Sequence, residues 1–289
     1  MFHRLLAKIN ELTELEFDTA SNQIIEFVDE CDDFVEILRQ IGTIPESIEH
    51  DSTQEKLFSK ASDAVLARSF REIGLKSTVL KERGDSADIL AESKFHGYTF
   101  VADAKAFRLS RTAKNQKDFK VVALSGWRKD ADYAVLCSPY YQYPTNLSQI
   151  YAQAVDNNVC LLSWEHILFL IENGIKENDN VDLSSIWNIS AEYSKTCLVA
   201  EKKKCFIPKV NDVIAEVCNQ SLSVFQTYLL KHQICITDRA EEEINYWKDE
   251  KSKIEKYTKE QAIAELIKSK KINEKIVHIK KFVTGMRVC

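Results

Sequence analysis

The sequence predicts an α/β core with helical segments at both ends. Between residues 50 and 172, short apolar runs of strand length alternate with stretches of helical periodicity, the pattern of helices packed on a sheet. Before residue 45 and after residue 186 the pattern is helical alone. The 289-residue chain is long enough for a full hydrophobic core, as one large domain or as one domain with an appendage.

Taken in order, residues 1–42 place Ile24, Ile25, Phe27, Val28, Phe34, Val35, Ile37 and Leu38 at helical spacing, and Ile44-Pro45 breaks that segment. Ser52 or Thr53 then caps a helix with Glu55 and Lys56 in its first turn and Leu57, Phe58, Ala61, Val65, Leu66 and Phe70 on its apolar face. Gly74 ends it. Strands are expected at 77–80 and 88–91, around an Arg83-Gly84-Asp85 turn. The run 98–103 alternates too little for a half-solvated strand and reads as buried. A helix over about 113–127, a strand at 133–137, a helix at 147–154, a strand at 159–162 and a Ser163-capped helix from Trp164 complete the core. Residues 173–180 read as a linker. The chain thus divides into a helical segment (1–45), an α/β core (46–172) and a helical segment (173–289). Late in the last segment, Ile244, Trp247, Ile254 and Tyr257 lie three to seven residues apart, as on a helix packed on its own core or on a partner's.

Composition excludes several classes. No apolar run approaches the roughly 18 residues of a membrane span, and the first residues lack an apolar secretion signal. The expectation is a cytoplasmic protein with reduced thiols. None of the eight cysteines forms a Cys-x-x-Cys pair and the histidines are scattered, so no zinc site is expected. There is no Gly-rich phosphate loop and no His-Glu-x-x-His. Trp164-Glu165-His166 opens a helix and reads as structural.

One stretch carries chemistry. The run 98–102 ends in Asp103-Ala104-Lys105, with Asp88 a short span upstream. Two residues apart on a strand, Asp103 and Lys105 share a face. Hydrolysing a phosphodiester needs an activated water and neutralised phosphate oxygens, and Mg²⁺, or Mn²⁺ as a substitute, supplies both. Such a cation takes hard oxygen ligands: Asp88 and Asp103, if their strands are neighbours, and the carbonyl of Ala104. Glu55 is a further candidate ligand, or a partner of its helix dipole. Asp85, in a Gly turn, competes with Asp88. Asp-x-Lys alone is a weak signal, since Asp118-Phe119-Lys120 and Asp249-Glu250-Lys251 repeat it. Only Asp103 follows a strand-like run and has a second Asp on a preceding one.

Beside this lies a basic stripe. Lys105, Arg108, Arg111, Lys114, Lys117 and Lys120 recur at every third position. Residues 103–130 hold eight basic against three acidic residues, a local +5 in a chain of formal charge −5. This is an electrostatic footprint for a polyanion or a solvated helix face. A period of three slips about 60° per step around a helix, so the stripe is expected to follow a curved path, as along phosphates. Embedded in it are Ala113, Asn115 and Gln116. Asn and Gln read adenine edges, and Arg or Lys reads guanine; Thr112 or Asn115 as a helix cap is the alternative.

Longer runs sharpen the reading. Residues 52–61 (STQEKLFSKA), Val101-Ala102-Asp103-Ala104-Lys105 and 108–120 (RLSRTAKNQKDFK) resemble the HindIII family of type II restriction endonucleases, and Asp132-Tyr133-Ala134-Val135-Leu136, Tyr143-Pro144-Thr145 and Ser163-Trp164-Glu165-His166 extend the likeness. It is strong from about 45 to 170 and co-linear outside. The resemblance implies a PD-(D/E)XK nuclease core with a central mixed β-sheet, a homodimer, Mg²⁺-dependent cleavage of duplex DNA and a cognate DNA methyltransferase in the same system. It implies the palindrome AAGCTT, cut after the first A to leave 5′ overhangs. Carried over by position, Asp103 and Lys105 are the catalytic pair, Asp88 is the upstream acid, Asp118 is a further active-site acid, and residues 113–117 approach bases. Two departures stand out. Ala87 replaces the motif's Pro, and Lys81 stands where the family carries an acid, with Glu82 beside it. The upstream ligand therefore stays open among Glu82, Asp85 and Asp88. Competing readings are a structure-specific repair nuclease on the same fold, a non-catalytic DNA-binding protein, and an α/β protein with a surface charge run.

Overall fold

A computed structural model of the chain describes residues 1–80, 86–111 and 115–285. They form two compact units, 1–238 and 239–289. The first opens with α1 (Phe2–Glu11), α2 (Phe17–Glu30), α3 (Phe34–Gln40) and α4 (Thr53–Glu72). Next come β1 (Lys76–Val79), β2 (Ile89–Glu92), β3 (Thr99–Ala104), α5 (Gln116–Phe119), α6 (Val121–Trp127), β4 (Tyr133–Ser138), α7 (Gln149–Asn157), β5 (Val159–Ser163) and α8 (Trp164–Glu172). The unit continues through α9 (Ser184–Trp187), α10 (Ile189–Thr196) and α11 (Ile207–Val217) into α12 (Leu222–Ile254). The second unit holds the end of α12, α13 (Lys259–Ser269) and α14 (Ile272–Gly285). No helix among the described residues is long and apolar enough to cross a membrane.

The five strands form one mixed sheet in sequence order. β1, β2 and β3 pair antiparallel, and β3, β4 and β5 pair parallel. Burial follows this topology. All five residues of β5 and five of the six in β4 are buried, as parallel strands with both faces covered require. β2 alternates buried and exposed. The core continues into α4, where Phe70 packs edge-on against Phe100 of β3 and Trp187 of α9.

Ser52 caps α4, its Oγ accepting the Glu55 amide at 3.1 Å. Gly74 ends the helix at φ +96°, where Leu75 N donates back to Phe70 O at 3.0 Å. The segment 173–180, polar enough to read as a linker, docks on this end. Glu177 is buried, its N donates to Ile73 O at 2.8 Å, and its carboxylate accepts from the Tyr98 hydroxyl.

The helix expected over 113–127 is two helices in its described part. Lys120, at φ 52° and ψ 33°, ends α5 and starts α6. On a straight helix Phe119 and Val121 would point about 200° apart. The left-handed residue lets both be buried, with Phe119 against Phe107 and Tyr143.

Candidate active site

The site is built at the end of β3. Ile89 of β2 pairs with Ala102 of β3, so one step further the antiparallel register sets Asp88 opposite Asp103. Asp103 is only 2 % exposed and Asp88 is partly exposed. Lys105 follows the strand and donates from Nζ to Asp103 Oδ2 at 2.5 Å. Its backbone is pinned on both sides: Lys105 N donates to Cys137 O of β4 at 2.7 Å, and Trp164 Nε1 donates to Lys105 O at 2.9 Å. Gly42 makes room for that indole, since a Cβ there would stand 2.7 Å from Trp164 Cδ1.

Helix α4 adds two residues that sequence reasoning missed. Lys60 Nζ bridges Asp63 Oδ2 at 3.1 Å and Asp88 Oδ1 at 3.2 Å. Asp63 is 4 % exposed. In sequence the pair looks like an ordinary i,i+3 ion pair on a helix surface. The missing signal was that eleven of the twenty residues of α4 are buried, Asp63 and two serines among them.

Three carboxylates and two ammonium groups are thus linked through the Lys60 bridge and the Lys105–Asp103 pair. Burial pushes the Asp63 carboxyl well above the ordinary carboxylate range, and the charge of Asp88 adds to this against the pull of Lys60. Burial also raises Asp103, opposed by Lys105 and reinforced by Asp88. The two carboxylates outweigh burial at Lys60 and keep its ammonium charged. Asp88 and Asp103, opposite each other by register, are hard oxygen donors of the kind a divalent cation takes.

Several of the other expected residues that the structure describes have partners of their own. Ala104 ends β3, half-buried. Glu55 sits two turns before Asp63 on α4, roughly 12 Å along the axis. It accepts from Asp51 N at 2.7 Å and pairs with Arg108, whose Nη2 also donates to Ile48 O at 2.6 Å. With His50 and Asp51 it offers ligand atoms within 4.8 Å of one another, in a cleft of about 520 Å³ that Lys56, Arg108 and Arg111 also line. Asp118 caps α5, accepting from Asn115 N at 2.8 Å, and pairs with Arg111. The Asn115 side chain is the N-cap of α5, and Gln116 Oε1 accepts from Gln153 at 2.7 Å. Lys117 and Lys120 are exposed, and the charge of Lys120 reaches Asp103. Glu82, Asp85, Thr112, Ala113 and Lys114 lie outside the described residues. Trp164-Glu165-His166 is structural, as expected. His166 closes a capping box with Ser163 and contacts Asn211 at 2.8 Å, and Glu165 accepts from Tyr140 N at 2.9 Å.

A five-stranded mixed sheet flanked by helices, with Asp-x-Lys at the end of its central strand and a second Asp across from it, is a PD-(D/E)XK-type nuclease fold. The family model of the HindIII restriction endonuclease matches residues 14–283. The chain is 42% identical over 286 residues to the type II restriction enzyme HindIII of Haemophilus influenzae (strain ATCC 51907 / DSM 11121 / KW20 / Rd), covering 98% of this chain and 95% of that relative. The chain belongs to the HindIII restriction endonuclease family and is a type II restriction endonuclease, a site-specific deoxyribonuclease. Enzymes of this class need a divalent metal, and their substrate is DNA.

Proposed function

We propose that this endonuclease cleaves duplex DNA at A/AGCTT, leaving 5′ overhangs, with Mg²⁺ as its cation and Mn²⁺ as a substitute. The observation that carries the chemistry is the register that sets Asp88 opposite Asp103, beside Lys105.

Asp88, Asp103 and the Ala104 carbonyl would hold the cation. When bound, it supplies charge neutralisation on the phosphate and a lowered pKa for a ligated water. Asp88 is the upstream ligand in this reading, supported by its contact with Lys60 and its place across from Asp103. Lys105, its backbone pinned by Cys137 and Trp164, presents an ammonium to the attacking water or to the charge developing on phosphorus. Asp118 acts from beside this centre, held by Arg111 and its helix cap. Glu55 contributes through Arg108 and the adjoining cleft.

Recognition falls to the stripe and its polar insert. Lys117 and Lys120 reach phosphates, while Arg108 and Arg111 shape the path through their ion pairs with Glu55 and Asp118. Ala113, Lys114, Asn115 and Gln116 approach the bases. A palindrome is read by two copies related by a two-fold axis, so the working form is a homodimer. It acts in the cytoplasm beside a methyltransferase that protects the host's own sites. The α/β core of residues 46–172 carries this machinery.

Digestion of a long, sequenced DNA with Mg²⁺ and sequencing of the fragment ends tests the reading. Ends at A/AGCTT are expected. Ends at another fixed site would refute the proposed readout by residues 113–116.

A further inference from the structure

We infer that Lys60 is a positioning residue for the nuclease centre: anchored on buried Asp63, it holds one oxygen of Asp88 and so keeps that carboxylate facing Asp103. The inference rests on the reading of Asp88 and Asp103 as cation ligands.

Three features lead to it. The first is the bridge itself, with Lys60 Nζ 3.1 Å from Asp63 Oδ2 and 3.2 Å from Asp88 Oδ1. The second is the difference in freedom between its two partners. The Asp63 side chain is 6 % exposed and that of Asp88 35 %, so Asp63 is the fixed end and Asp88 the end that moves. The third is crowding. Asp63 feels the negative charge of both Asp88 and Asp103, and Lys105 serves Asp103 alone among these carboxylates. Without Lys60, the repulsion among three carboxylates would be relieved by the exposed member turning to water. The cation would then lose a ligand. Removing a nearby positive charge would by itself strengthen cation binding, so the sign of the effect separates the two roles.

The experiment is a Mn²⁺ titration of the full-length, DNA-free protein, followed by electron paramagnetic resonance of the free ion. It is paired with cleavage assays across Mn²⁺ concentrations. Lys60→Met should raise the half-saturating Mn²⁺ concentration about tenfold in both assays, while the rate at saturating Mn²⁺ falls less. Lys60→Arg, which can still bridge two carboxylates, should stay within about threefold of wild type. Asp63→Asn, nearly isosteric, should weaken Mn²⁺ binding in the same direction and keeps the test open if Lys60→Met does not fold. The double variant should be no worse than the weaker single one, because anchor and clamp act as one unit. Mn²⁺ binding as tight as wild type, or tighter, in Lys60→Met or Asp63→Asn would overturn the inference. Unchanged Mn²⁺ binding in Asp103→Asn would instead overturn the reading of the site on which it rests.

Discussion

Asp103 and Asp63 are the buried acids of the proposed nuclease centre. Each is buried, and each has a native pKa above the ordinary carboxylate value of 3.8, chiefly through burial. The folded protein therefore holds these protons more tightly than the unfolded chain does. Their stabilising contribution is full below the ordinary carboxylate pKa and is lost as pH rises through the raised native values. The metal-free protein should accordingly show a Tm that climbs as pH is lowered from neutrality, until other carboxylates begin to protonate. Asp63→Asn should flatten that climb; an unchanged Tm–pH curve in this variant would contradict the raised native pKa of Asp63. Near neutral pH a divalent cation should raise Tm, because it binds the native acids and not the unfolded chain. Calorimetry with and without Mg²⁺ reads this directly.

At the scale of elements, the parts legible in the sequence are those whose signal is local. The Ser52 cap, the Gly74 stop, the buried run that became β3 and the Ser163 cap all rest on neighbouring residues. So did Asp103 with Lys105, because a period of two is enough to put them on one face. The break at Lys120 was not legible. Its cause is the distant aromatic pocket of Phe107 and Tyr143 that receives Phe119, and no glycine marks the left-handed turn. Asp63 was hidden for a related reason. Burial on nearly every side of α4 comes from packing against α2 and the sheet, which helical periodicity does not report. The docking of 173–180 on α4 likewise depends on a long-range contact. Gly74 joins these two segments, since a Cβ there would lie 2.7 Å from Glu177 O and φ is +96°. Gly74→Ala should destabilise the fold by on the order of 1–3 kcal/mol, measured as the shift in urea midpoint at constant slope.

For the whole molecule, the decisive contrast is between global and local charge. A chain of net charge −5 carries a stripe of +5 beside its acidic centre, and we propose that polyanion binding is confined to that region. Several of these cations are already engaged: Lys105 by Asp103, Arg108 by Glu55, Arg111 by Asp118, and Arg128 by the carbonyls of Asn157 and Asn158. Lys117 and Lys120 are exposed, so the electrostatic term should rest on few residues. Lys117→Ala should weaken binding to all DNA sequences alike. It should reduce the slope of log K against log salt by about 0.9, the value for one phosphate contact; a loss confined to one base position would identify Lys117 as a base reader instead. We propose Asp103 as the acid on which cleavage depends, from the sheet register that sets Asp88 opposite it and its ion pair with Lys105. The most direct test is single-turnover cleavage of a duplex containing AAGCTT by wild type and Asp103→Asn, with duplex binding measured in parallel. Cleavage should fall by at least about 1000-fold while specific binding survives; cleavage within tenfold of wild type would rule out this role for Asp103.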